Sequence, residues 1–80
     1  MLNAVILAAY GLHSIQGACS RIHRELESGE HCTVYEFELI GVWPLNEKDR
    51  EAHIAAFATE YGFRLRYYRI GWCAIFEQAR

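Results

Sequence analysis

Asn46-Glu47-Lys48-Asp49-Arg50-Glu51-Ala52-His53-Ile54-Ala55-Ala56-Phe57-Ala58-Thr59-Glu60-Tyr61-Gly62 decides how this chain is divided. Asn46 is a good N-cap, and Asp49 stands three residues later as in a capping box. Glu47, Asp49 and Glu51 put negative charge in the first turns, where the helix dipole favours it. Ile54, Phe57, Ala58 and Tyr61 recur at helical spacing and make one apolar stripe. Gly62 then suits the left-handed residue that closes a helix. The spacing predicts a helix over about 46–61, and Pro44 stops whatever precedes it.

Outward from that helix the period changes. From Cys32 to Val42, Thr33, Tyr35, Phe37 and Leu39 alternate with Val34, Glu36 and Glu38. That predicts a strand with one apolar and one partly charged face. After the helix, Phe63–Ile70 and Trp72–Glu77 flank Gly71 and are rich in aromatic and branched residues, which predicts a C-terminal hairpin. Within it, Arg64-Leu65-Arg66-Tyr67-Tyr68-Arg69 holds three of the eight basic residues. Strict alternation sends Arg64, Arg66 and Tyr68 to one face and Leu65, Tyr67 and Arg69 to the other.

The first 28 residues admit two readings. Val5-Ile6-Leu7 suits a buried strand, Leu2–Ala9, followed by a helix from about Leu12 to Ser28 closed by Gly29. The alternative is one long helix, since Val5, Ala8, Leu12, Ile15, Cys19, Ile22 and Leu26 form a continuous stripe. Gly11 and Gly17 each cost a helix about 1 kcal/mol, which favours strand then helix. The fold class is therefore α+β, β-α-β-α-β-β. It is a small two-layer domain with two helices on a short, mainly antiparallel sheet (alternative: α-β-α-β-β).

All eighty residues, 1–80, fit one domain, and 52% hydrophobic content is ample for a core. Net charge is −2, so the chain is not a polycation built for nucleic acid. Residues 1–40 carry two arginines against five glutamates, and residues 41–80 carry six basic against five acidic side chains. Three cysteines without paired spacing point to a reducing cytosol. No basic residue precedes the short Val5–Tyr10 apolar run, so a signal peptide is not expected, nor is a membrane span. A cytoplasmic protein is the expectation.

No motif carries chemistry. Val5-Ile6-Leu7-Ala8-Ala9 followed by Gly11 resembles the opening strand and loop of sugar-phosphate nucleotidyltransferases. Tyr10, however, replaces that family's first glycine, and one glycine does not make a phosphate cradle. Cys19, His23, His31 and Cys32 offer four N and S donors, but without the short paired spacing of a zinc site. Ser14, Ser20 and Ser28 lack a nucleophile-elbow context. No cofactor and no catalytic residue are assigned.

Binding remains. Arg64, Arg66 and Tyr68 form one candidate partner surface; Glu36 and Glu38 form a second; and Trp43, beside Pro44, is a candidate hot-spot residue. Pairing of the arginines with Glu36, Glu38 or Glu77 across the sheet is the competing account of the same residues. The expected function is a non-catalytic cytosolic protein–protein interaction module that occludes a surface of a larger protein or ribonucleoprotein complex. In size and character it is similar to anti-CRISPR-type inhibitors of phages and mobile elements, which share no residue motif. The alternative is a small nucleic-acid-binding regulator using Arg64–Arg69. A homodimer through a sheet edge is also possible.

Overall fold

The computed structural model describes residues 14–79. The strand expected at Leu2–Ala9 lies outside them. The chain enters helix α1 (Ile15–Ser28) with Ser14 as N-cap, its hydroxyl accepting from Gly17 N at 2.9 Å. Strand β1 (His31–Tyr35) follows, then a short helix α2 (Glu36–Val42) and helix α3 (Glu47–Tyr61). Strands β2 (Phe63–Arg69) and β3 (Cys73–Gln78) form the C-terminal hairpin. The described residues thus make a small α+β domain with three helices and a three-stranded antiparallel sheet in the order β1-β3-β2.

Helix α3 matches its expected span to within one residue. Asn46 Oδ1 accepts from Asp49 N at 2.9 Å, and Gly62 closes the helix at φ 79°. At the hairpin, Trp72 N donates to Arg69 O at 3.0 Å and Gly71 has φ 82°. A positive φ at the third of four turn residues is what a type II turn demands, and glycine adopts it without a Cβ clash.

Helices α1 and α3 cover one face of the sheet. Ala18, Ile22 and Leu26 descend from α1, and Ile54, Phe57 and Ala58 from α3, onto Cys32, Val34, Phe63, Ala74 and Phe76. Phe57 is central: its ring meets Trp43, Phe63 and Phe76 at centroid distances of 5.2, 5.9 and 5.9 Å. Each such buried ring contributes about 1.5–3 kcal/mol by leaving water.

Two expectations fail here. The Cys32–Val42 strand ends at Tyr35, where the chain turns into α2. Its inward residues are Cys32 and Val34, so the buried parity is opposite to the Thr33/Tyr35/Phe37/Leu39 alternation, and Phe37 is exposed. In β2 a bulge breaks the alternation. Leu65 pairs with Phe76, yet Tyr67 pairs with the next residue along, Ile75, which leaves Arg66 as the inserted position. An inserted residue reverses the faces of all that follow. Tyr68, opposite Ala74, therefore faces the core, and Tyr67 faces out.

Candidate functional site

The bulge builds a surface on the sheet face turned away from the helices. Arg64 stands opposite Glu77 there, and Tyr67 opposite Ile75. Arg66, the inserted residue, keeps a side chain 62% exposed. Glu77 holds both arginines: it pairs with Arg64, while Arg66 Nη1 lies 3.5 Å from its other oxygen. From the hairpin turn, Trp72 sets its ring at 88° to Tyr67, with centroids 6.0 Å apart. Arg69 lies over the Trp72 ring, 5.6 Å from its centroid.

Beside these groups lies an open cleft of about 390 Å³ lined by His31, Arg66, Tyr67, Trp72 and Ile75. That volume is at the lower end of small-ligand and side-chain pockets. Its walls are aromatic and aliphatic, and its rim carries a guanidinium and an imidazole. Arg64 and Arg66 share the Glu77 carboxylate and Arg69 stands over Trp72, so this face of the described strands is cationic on a protein of net charge −2.

Of the six residues assigned from sequence to partner binding, only Arg64 and Arg66 lie here. Tyr68 is a core-facing residue. Trp43 is 5% exposed and packs edge-on against Phe57, so it is no surface hot spot. Glu36 and Glu38 do not form a wet sheet face or meet the sheet arginines. Glu38 accepts from Tyr35 N at 3.1 Å and pairs with Arg21, which also donates to Thr33 O at 3.0 Å. Glu36 accepts from Arg50 Nη2 at 2.7 Å, and Arg50 Nη1 donates to Leu45 O at 2.7 Å. Both carboxylates belong to the fold. The expected pairing of the sheet arginines holds for Glu77 alone.

Tyr67, Trp72, His31 and Ile75 complete the cleft. Of these, only Trp72 carried a surface signal, by lying beside Gly71. His31 joins because β1 and β3 pair, with His31 opposite Glu77.

Arg21, Glu25 and Cys32 are tied into the fold. Arg21 donates from Nε to Glu25 at 2.9 Å. Burial alone would disfavour its charge, but Glu25 and Glu38 outweigh that and hold it further toward the charged form. The same hydrogen bond holds Glu25 below the usual carboxylate range. Burial, reinforced by Glu25, pushes the Cys32 thiol up to about 12, so it is no nucleophile at neutral pH. Cys19 packs partly against the core and His23 meets Phe63 edge-on at 4.8 Å. Among the described residues no three ligating side chains converge as a metal site requires. Nor is any described helix long and apolar enough to cross a membrane.

No family model, no curated protein and no solved structure matches the chain.

Proposed function

We propose that this chain is a non-catalytic, cytosolic protein–protein interaction module that works by covering a surface of a larger protein or ribonucleoprotein complex. An inhibitor of the anti-CRISPR type fits such a role. The observation that supports this reading is the outward sheet face. It gathers arginine, tyrosine and tryptophan, the residues enriched in interface hot spots, around a cleft sized for a side chain. The buried carboxylates and thiols are engaged in holding the fold together instead.

The test is capture from a lysate of the native source by the tagged chain, with and without nuclease. Retention of the same protein in both arms is expected. Arg66→Glu with Trp72→Ala should abolish it, while Glu60→Lys on the exposed side of α3 should not. Capture that vanishes with nuclease would instead establish the nucleic-acid-binding regulator.

A further inference from the structure

We propose that the cleft receives an acidic peptide segment of the partner: a bulky apolar side chain enters the corner between Tyr67 and Trp72, and a neighbouring carboxylate engages Arg66. This rests on the interaction-module reading above and specifies the chemistry of its partner.

The corner selects the apolar part. Tyr67 and Trp72 stand nearly perpendicular, 39% and 52% exposed as residues, and Ile75, the cross-strand partner of Tyr67, lines the cleft with them. Two rings at a right angle offer large apolar surfaces to an entering group, against which an aromatic side chain can add an edge-to-face or offset contact.

Charge selects the rest. Arg64 and Arg66 share the one carboxylate of Glu77, and Arg69, which has no carboxylate partner among the described residues, is laid over Trp72. Of the two arginines on Glu77, Arg66 is the more weakly held, at 3.5 Å, beyond the normal length of a charge-assisted hydrogen bond. It is also the one lining the cleft. An incoming carboxylate therefore replaces a long internal contact with a short one, and Glu77 retains Arg64. Nucleic acid fits less well. Too few guanidiniums stand here to track a phosphate backbone.

The bulge makes the juxtaposition possible. In a regular strand Arg66 and Tyr67 would point to opposite faces, and the insertion at Arg66 puts both beside the cleft.

The test is selection of peptides from a displayed random library against the purified chain, followed by titration of the leading synthetic peptide. The expected consensus is an aromatic or large aliphatic residue next to Asp or Glu. Arg66→Glu should weaken that peptide about tenfold, and Trp72→Ala by at least about tenfold. Both sites are exposed, and a thermal melt checks that each variant folds. Glu77→Gln removes the internal competitor and should tighten binding about threefold, the size of a long ion pair with one exposed partner. A role for Arg66 in the fold alone predicts no such gain. Failure to select any peptide, a consensus without acidic residues, or displacement of the peptide by oligouridylate would each overturn the proposal. If the lysate partner is still captured by Arg66→Glu, the module reading stands and this one falls; capture lost to nuclease removes both.

Discussion

Trp43 and Tyr68 both turn their rings to the core, the first buried outright and the second in part. Trp43 stands beside Pro44 at an element end, a position that suits an exposed loop as well as a buried anchor. In the structure it closes the core against Phe57. Trp43→Ala should therefore cost about 3–5 kcal/mol in urea denaturation. Tyr68 packs its ring on the core, yet its buried hydroxyl has no hydrogen-bond partner among the described residues. Tyr68→Phe keeps the packing and removes a polar atom that gains nothing from burial. Stability should be unchanged or higher; a loss of more than about 1 kcal/mol would mean that the hydroxyl is bonded after all.

At the scale of elements, α3 and the hairpin were legible because their signals are local. The cap at Asn46, the stripe through Tyr61 and Gly62 all act within a turn or two of each other. Helix α2 was not legible. Glu36, Phe37, Glu38 and Leu39 alternate as a strand would, and seven residues are too few to hold a helix by themselves. What fixes this segment as helix is distant in sequence. Arg21, 17 residues before Glu38, and Arg50, 14 after Glu36, grip its first turn from the two long helices. No window over the alternating stretch contains those partners. The same ion pairs explain why Phe37 and Ile40 are left 64% and 45% exposed: the grip turns the carboxylates inward. Arg50→Met, which strands Glu36 beside the core, should destabilise by about 3–5 kcal/mol. Adding Glu36→Leu should recover most of that loss, because the uncompensated charge is then gone. A double variant no more stable than Arg50→Met would show that the arginine acts by packing and not by pairing.

For the molecule as a whole, acid should act through the network at Arg21. Glu25 is held below its ordinary value by the guanidinium, so the stabilising form is the ionised one. Its contribution is complete above the unfolded carboxylate value of 4.5 and is lost as pH falls from there through the lower folded value. The urea midpoint should drop over that acidic range, and Glu25→Gln should flatten part of the drop. An unaltered profile in the variant would place the acid sensitivity in other carboxylates. Molecular shape follows from the same economy of parts: the described residues give a body of 40 × 30 × 20 Å, with both long helices on one side of the sheet. The side without them carries the cleft.

That asymmetry gives position 66 an unusual freedom. In most small sheets a residue that meets a ligand also pairs across the ladder, so altering specificity disturbs folding. Arg66 has no backbone register partner on the neighbouring strand, and its backbone avoids the left-handed region, so side chains other than proline are sterically admissible. Deleting it would restore the regular alternation without shifting the register of its neighbours. Position 66 can therefore change at one codon while the register of the scaffold stays constant.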